Sequence, residues 1–313
     1  MERFDRQITM RALRHEFLRQ RLFGAAMIED SAIFRDANVL NIFCGDGGVA
    51  MLAIQAGARH VLAIDTVTNA NMARRVIRKN GMLDRISVMG IDVRQLDLSG
   101  LRYDVLLCAW MDDMAIFQGK LSDLIVARDR FIRPGGIIYP YMIRISACAI
   151  EDGKAWEATN KWINANIGFR YLHMRELLRP VLDYLKPEQI VTSFSKIADF
   201  NLYTITLEQL NRAAFFSMVT IQEAPVHSIC TSLESLVMRP GGPVALNFNH
   251  FTPDYRHTIF YLGVQLNACP GSVIVGKLTE LFDWSMTRQM LKWDYEYNGR
   301  NGKFVGSGNY TVR

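Results

Sequence analysis

Between residues 37 and 150, short apolar runs alternate with segments of helical periodicity, and this alternation limits the folds available to the chain. The apolar runs read NVLNIF, HVLAID, ISVMGID, YDVLLCAW and GGIIYPYMIRISA. Strands that alternate with helices form right-handed βαβ units around a parallel sheet. Runs that are apolar throughout, such as YDVLLCAW, are typical of strands covered on both faces. The sequence therefore predicts a doubly wound α/β domain over residues 37–150.

The spacing of apolar residues changes after residue 150. Residues 151–189 carry large apolar side chains at helical spacing, with Pro180 and Pro187 near the end of the segment. We interpret this segment as helical and amphipathic. Residues 190–313 contain many short runs of alternating apolar and polar residues, of which Leu291–Tyr297 is an example. Many strands at short spacing predict an antiparallel β-barrel or sandwich.

Residues 1–36 form an N-terminal segment with helical periodicity. Its apolar residues, among them Phe17 and Leu22, fall on one face of the helix. The other face carries Arg3, Arg6, Arg11, Arg14, Arg19 and Arg21. We interpret these arginines as the solvated face of a docked helix; a phosphate-binding face is the alternative.

Composition narrows the class of protein further. With 50% hydrophobic and 21% charged residues, the chain suits globular domains with real cores. There is no apolar run of about 18 residues and no apolar N-terminal stretch of the secretory type, so we expect a cytoplasmic protein without a membrane helix. Five cysteines and six histidines are scattered without paired spacing, which predicts neither a disulfide framework nor a metal site. A net charge of +5 and a pI of about 9.0 permit a nucleic-acid partner without requiring one.

The stretch VLNIFCGDGG reads as a strand that runs into a glycine-rich turn. Such a turn lets backbone approach a nucleotide-type cofactor closely, and Gly45 and Gly47 suit it. The next strand, HVLAID, ends in Asp65, and an acid at this point can accept hydrogen bonds from a ribose diol. However, Phe43 stands where the first glycine of the turn belongs, and Asn41 replaces the usual acid at the end of the strand.

Longer stretches share their order and character with one family. VLNIFCGDGGVAMLAIQAGARHVLAID is similar to its cofactor motif, YDVLLCAWMDDMAIFQGKLSDLIVARDRFIRPGGIIYP to its double-glutamate loop, and HFTPDYRHTIFYL to its Thr-His-Trp loop. In these stretches the chain resembles the protein arginine methyltransferases, over nearly its whole length. The resemblance implies a Rossmann-like S-adenosylmethionine methyltransferase domain, followed by an antiparallel β-barrel with a helical dimerisation arm. It also implies S-adenosylmethionine as cofactor and peptidyl arginine as substrate.

In the family that this chain resembles, two glutamates nine residues apart grip the substrate guanidinium. With Trp110-Met111 setting the register, the first glutamate position is Ala109 and the second is Gln118. Neither side chain carries charge, so the bidentate carboxylate grip on a guanidinium is missing. Asp112 and Asp113 lie in the same loop; they are either an alternative source of carboxylates or a solvated acidic turn.

Further departures from the family pattern fall on the same site. The histidine of the Thr-His-Trp triplet aligns with Asp254, the acid at the adenine edge falls at Arg94, and the N-terminal lid helix keeps only Phe4. We expect the Phe43 ring to fill the emptied cofactor pocket. The positions expected to be vestigial are Gly45, Gly47 and Asp65. The sequence thus predicts no catalytic residue and no bound cofactor on this chain.

The losses concentrate at the site, whereas the strand patterns of the core persist. We interpret the chain as an inactive regulatory subunit, or prozyme, that binds, stabilises and activates a catalytic arginine methyltransferase subunit. The partner would carry S-adenosylmethionine, in a heterodimer or heterotetramer. The expected contacts of the dimerisation arm are Trp156, Trp162, Phe169, Tyr171, Leu177 and Leu178.

Two other interpretations stay open. The first is a divergent active methyltransferase that uses Asp112 or Asp113 and still binds S-adenosylmethionine. The second is a nucleic-acid-binding component of a methyltransferase complex. The basic stretch that motivates it contains Arg74, Arg75, Arg78 and Lys79.

Overall fold

The computed structural model describes residues 17–109, 120–164, 180–211, 213–246, 255–283, 288–299 and 302–312. In this part of the chain, no helix is long and apolar enough to cross a membrane. The helices are α1 at residues 17–29, α2 Ser31–Phe34, α3 Gly48–Gln55, α4 Val67–Lys79, α5 Lys120–Phe131 and α6 Gly153–Asn164.

Five strands form a parallel sheet in the order β3-β2-β1-β4-β5. They are β1 Asn38–Ile42, β2 His60–Asp65, β3 Ile86–Gly90, β4 Tyr103–Leu107 and β5 Ile132–Tyr139. The order reverses between β1 and β4, and ligands of such sheets bind at the carboxyl ends of the strands beside this switch point. The predicted Rossmann-like α/β domain is confirmed.

The parallel sheet is buried on both faces because neighbouring side chains of each strand point to opposite sides. On one side, Leu40 joins Leu124 of α5 in a core that continues into the antiparallel part of the molecule. On the other side, Val39 joins Ala53 of α3 and Ile77 of α4. Side chains of the apolar run NVLNI therefore pack into two different cores, one on each face of the sheet.

Helix α4 follows β2 directly and begins with a side-chain cap. The Thr66 hydroxyl accepts a hydrogen bond from the Asn69 amide at 3.4 Å, and Arg78 and Lys79 in the last turn suit the negative end of the helix dipole. Arg75, Arg78 and Lys79 are exposed, whereas Arg74 donates to the Val88 carbonyl at 2.8 Å. The basic stretch is thus a helix surface with one arginine held by the sheet.

In the described residues after β5, ten strands form two antiparallel sheets. They are β6 Met142–Ile150, β7 Val181–Tyr184, β8 Ser195–Asn201, β9 Ala214–Val219, β10 Ala224–Arg239, β11 Gly242–Ala245, β12 Arg256–Ala268, β13 Val273–Asp283, β14 Arg288–Gly299 and β15 Gly302–Val312. One sheet runs β7-β12-β10-β6-β8, with β11 on β10, and the other runs β15-β14-β13-β9. Buried Trp293 packs against Phe216 and Phe260 between them, with ring centroids 5.3 Å apart in each pair.

Three sequence-based assignments differ from the structure. The run GGIIYPYMIRISA forms two strands in different sheets, because Pro140 has no amide hydrogen to continue the ladder. The run LYTITLEQL, one of the short runs in residues 190–313 that predict strands, is a turn and a 3-10 helix, Leu207–Asn211. The Asn201 side chain accepts a hydrogen bond from the Tyr203 amide and stabilises the turn. Val181–Tyr184, expected within a helical arm, is strand β7 paired with β12, after Pro180.

A buried ionic cluster joins the N-terminal helix, the parallel sheet and the antiparallel sheets. Arg239 at the end of β10 donates to both carboxylate oxygens of Asp30, at 2.7 and 3.2 Å, and lies 2.6 Å from Glu29. Tyr139 at the end of β5 donates to the same Asp30 carboxylate at 2.8 Å. Burial and this carboxylate raise the pKa of the Tyr139 hydroxyl, which therefore stays a donor.

Arg239→Ala is expected to lower the free energy of unfolding by about 2–3 kcal/mol, because it leaves the Asp30 carboxylate buried without its ion partner. Chemical denaturation of the purified variant measures this change. Glu29→Gln is the matched control and should change stability by less than about 0.5 kcal/mol, since its side chain is 64% exposed. Equal losses in the two variants would contradict the assignment of Asp30 as the essential partner.

Candidate functional site

A cavity of about 210 Å³ opens at the carboxyl ends of β1, β2 and β3, where the sheet topology predicts a ligand. Its lining residues are Ile42, Phe43, Ile64, Asp65, Thr66, Ile91, Asp92, Val93 and Asp123. The walls are mostly apolar, with three carboxylates among the lining residues. Phe43 is one of the lining residues, and the space beside it stays open, so its ring does not fill this cavity completely. That the ring occupies space of the emptied cofactor site stays a prediction.

Phe43 has a backbone conformation that disfavours side chains. Its φ angle is 56°, in the left-handed region, at the point where β1 ends and the turn begins. A residue other than glycine in this region costs about 1–2 kcal/mol, so the turn itself gives a physical reason for the glycine expected there. Phe43 is half-buried, and its ring packs against the core that the sheet shares with α5.

The two glycines of the turn have structural reasons of their own. Gly45 and Gly47 have φ angles of 59° and 87°. A Cβ atom on Gly47 would lie 2.9 Å from the Ile77 side chain, so α4 packs where only glycine fits. Their presence therefore follows from the fold, whether or not a ligand binds.

Asp65 ends β2 as predicted, and its carboxylate is held by hydrogen-bond donors of this chain. Oδ2 accepts from the Gly45 amide at 2.8 Å. Oδ1 accepts from the Thr66 amide at 2.7 Å and from the Asn69 side chain at 2.9 Å. The acid thus ties the glycine turn to the start of α4 in addition to facing the cavity.

Asn41 is buried in β1 with 1% of its surface exposed. Its side-chain amide donates to the Leu107 carbonyl at 3.1 Å, across to β4, and to the Ile42 carbonyl at 3.2 Å. Its Oδ1 oxygen has no hydrogen-bond partner among the described residues. A carboxylate could not make these donor contacts, so it is the asparagine amide that bridges β1 and β4.

Arg19 lies in the site, whereas its place among the arginines of α1 predicts a solvated side chain. The prediction is wrong for this residue, because Arg19 is only 7% exposed. Its guanidinium donates a hydrogen bond to the Ala109 carbonyl at 2.6 Å. The same guanidinium lies 3.5 Å from the place that a Cβ on Gly45 would occupy. A signal was present, since Arg19 shares the i, i+4 face of α1 with Phe23, which is fully buried.

Ala109 lies at the carboxyl end of β4, at 1% exposure. Its methyl group belongs to the apolar core that contains Val39 and Leu107. A methyl group supplies no carboxylate at this position. At the predicted first glutamate position, the Ala109 methyl group therefore packs in the core, and the Ala109 carbonyl accepts a hydrogen bond from Arg19.

Arg94 lies at the rim of the cavity and is paired with Asp123 of α5. One Arg94 nitrogen lies 2.6 Å from the Asp123 carboxylate and 2.7 Å from the Ser122 hydroxyl. Burial raises the pKa of Asp123 to about 6; Arg94 opposes this shift and the nearby Asp92 adds to it. Above the Phe43 ring, the Lys120 ammonium lies 5.9 Å from the ring centroid.

The remaining predicted site positions lie outside the described residues. These are Phe4, Asp112, Asp113, Gln118, Phe169, Tyr171, Leu177, Leu178, Asp254 and the side chain of Trp162. The neighbour of Asp254, Tyr255, is buried, and its hydroxyl donates to the Leu233 carbonyl at 2.6 Å. In the described part of the chain, no group of three or more histidine, cysteine or acidic side chains could hold a metal ion.

No protein-family model matches the chain, but individual known proteins are similar to it in sequence. Protein arginine N-methyltransferase 1 of Chlamydomonas reinhardtii is 26% identical over 302 residues, which cover 95% of this chain and 87% of that protein. The Saccharomyces cerevisiae protein of the same name is 26% identical over 287 residues, 88% of this chain and 82% of that one. The chain is thus similar in sequence to protein arginine N-methyltransferases over most of its length.

Solved structures show the same fold. A chain of the Trypanosoma brucei PRMT1 enzyme-prozyme heterotetrameric complex with AdoHcy matches with a TM-score of 0.84. It is 23% identical to this chain, and the match covers 94% of both chains.

Phe43→Ala and Phe43→Gly test the left-handed turn as a matched pair. Both variants lose the ring, but only alanine keeps the penalty of a Cβ in the left-handed region. The glycine variant should therefore be more stable than the alanine variant by about 1 kcal/mol. Urea unfolding of the two variants measures the difference, and an alanine variant of equal or greater stability would show that the turn is not left-handed at this residue.

Asp123 should make stability depend on pH. Its folded pKa of about 6 lies above the value of about 3.9 for a free aspartate. The folded chain therefore binds the proton more tightly, and roughly 1–2 kcal/mol of stability present below pH 4 is lost as pH rises to 6. Asp123→Asn should remove this slope from urea unfolding curves taken across the interval. Asp129→Asn, with a side chain 58% exposed, is the control that should keep it.

Proposed function

We propose that this chain is a catalytically inactive subunit that pairs with an active arginine methyltransferase and stabilises and activates it. The observation that carries the proposal is Ala109. Where the resemblance implies the first catalytic glutamate, the structure has a buried methyl group and a carbonyl that Arg19 already occupies. No carboxylate is present at this position to grip a guanidinium.

The chemistry of arginine methylation explains why this position matters. A guanidinium stays protonated, with a pKa above about 12, and is oriented best by bidentate carboxylates. An ion pair near a protein surface contributes about 4 kcal/mol at most at an effective dielectric of 20. Loss of half of that at both glutamate positions slows the reaction roughly 10³-fold. The Arg19 cation beside Ala109 repels a second guanidinium and adds to this loss.

The cofactor side supports the same conclusion. Phe43 lines the cavity with a ring where backbone of a glycine would approach a ligand. Lys120 adds an ammonium above this ring, and a sulfonium is also a cation. In the proposed complex the partner therefore supplies S-adenosylmethionine and both carboxylates.

Pairing is supported by a structural relative. The Trypanosoma brucei complex that matches this fold is an enzyme-prozyme heterotetramer. For this chain we propose a hetero-oligomer of the same kind, in which the helical arm that begins with α6 contacts the catalytic subunit. The stoichiometry, a heterodimer or a heterotetramer, is measured directly by light scattering of the purified complex.

Co-expression with an active arginine methyltransferase of the same organism tests the proposal. The complex should purify as one species, and its methylation rate should exceed that of the catalytic subunit alone by about tenfold or more, which corresponds to a barrier lower by roughly 1.4 kcal/mol. The isolated chain should give no turnover, and calorimetric titration should detect no micromolar binding of S-adenosylmethionine. Turnover by the isolated chain would overturn the proposal.

The open cavity favours one alternative, a divergent methyltransferase that binds its own cofactor. About 210 Å³ of space beside Asp65 is the observation on which this alternative rests. Calorimetric titration of the isolated chain with S-adenosylmethionine separates the two proposals. A saturable isotherm that Asp65→Asn abolishes would support the divergent enzyme. A flat isotherm for the isolated chain, together with an active complex, supports the inactive subunit.

A further inference from the structure

The two central strands of the larger antiparallel sheet are interrupted where the arm begins. Between Val226 and Ser228, β10 advances by two residues, while its partner β12 passes from Leu266 to Tyr261. The extra residues of β12 form a bulge, and His227 lies opposite it. Bulges free backbone groups from the ladder and redirect side chains, and they are common beside functional sites.

Helix α6 is fastened to this bulge through Trp156. The indole nitrogen donates to the Leu262 carbonyl at 2.7 Å, a group that the bulge removes from regular pairing. The indole ring also lies against the His227 imidazole, with centroids 5.4 Å apart. Trp156, predicted as an arm contact, is therefore half-buried on its own sheet in the first turn of the arm helix.

His227 also contacts the start of α6, where its ring acts as a helix cap. Its Nδ1 accepts a hydrogen bond from the backbone amide of Asp152 at 3.2 Å, and its Nε2 lies 3.2 Å from Gln265 Oε1. Asp152 is the residue before α6 and accepts the first helical bond, from the Trp156 amide. The amides of a first turn have no partner within the helix, and here an imidazole nitrogen satisfies one of them.

These contacts require a neutral imidazole of one tautomer. Nδ1 must be unprotonated to accept from an amide, which leaves the proton on Nε2, facing the Gln265 oxygen. His227 is 4% exposed, so water does not replace the contact easily. A protonated ring would lose the acceptor and would place a cation at the positive end of the helix dipole.

We propose that His227 is a positioning residue whose Nδ1 acceptor holds the arm helix α6 in place for the catalytic partner. The inference rests on the proposed function, because the arm is assigned there to partner contact.

The start of α6 is held by a second side-chain contact. The Asp152 carboxylate accepts a hydrogen bond from the Tyr261 hydroxyl of β12 at 2.7 Å. Burial and this carboxylate raise the pKa of Tyr261, with Asp183 of β7 adding to the shift, so its hydroxyl stays a donor.

The dissociation constant of the co-purified complex tests the proposal in two variants. His227→Phe keeps a ring but removes the acceptor, and we expect the complex to weaken about tenfold, the effect of losing one buried hydrogen bond. His227→Asn places an amide oxygen near the position of Nδ1 and should stay within about twofold to threefold of wild type, since the hydrogen bond is kept. Glu157→Gln, an exposed change on the same helix, is the control.

Rescue by asparagine separates positioning from general packing. Both variants lose the imidazole ring, but only His227→Asn keeps an acceptor for the Asp152 amide. If His227→Phe does not fold, as thermal unfolding will show, His227→Ala takes its place in the comparison with His227→Asn. A His227→Phe complex as tight as wild type, or a His227→Asn complex as weak as the variant without an acceptor, would overturn the inference. A wild-type chain that forms no complex would instead refute the proposed function.

Discussion

The ion pair between Arg239 and Asp30 determines how the two halves of the molecule meet. It joins the last residue of β10 to the end of α1, and Tyr139 brings the end of β5 to the same carboxylate. Because α1 is held there, its first turns lie over the glycine turn, and Arg19 reaches Ala109. The geometry of the candidate site thus depends on a contact at the opposite end of the helix.

The polar groups of the site already form hydrogen bonds or ion pairs with other groups of this chain. Asp65 binds the glycine turn and α4, Arg19 binds the end of β4, and Asp123 binds Arg94. Each of these polar groups would have to exchange an internal partner for a ligand. That exchange is possible where a ligand offers stronger contacts, but Phe43 and Ala109 offer an apolar ring and a methyl group at the two places where such contacts would form.

The antiparallel sheets contribute an attachment for the arm rather than chemistry. The β12 bulge frees a carbonyl for Trp156 and presents His227 to the first turn of α6. Trp156 contacts its own sheet, so large apolar residues in the arm segment serve two purposes: those in the first turn fasten the helix, and those further along are proposed for a partner. A fixed base lets a helical arm present the same face each time it meets a partner, which lowers the entropy lost on binding.

The sequence by itself determined the parallel sheet and the order of its strands with the helices, because apolar runs and glycine turns report local structure directly. It also located the odd residues Phe43, Ala109 and Arg94. It assigned Arg19 to solvent and Val181–Tyr184 to a helix, since burial of an arginine and pairing of a short strand depend on distant partners, Ala109 and β12. Only the tertiary structure showed that Phe43 is left-handed, that Asp65 is occupied by the chain's own donors and that His227 caps α6. These facts arise from contacts between residues far apart in the chain, and neither periodicity nor motif spacing carries that information.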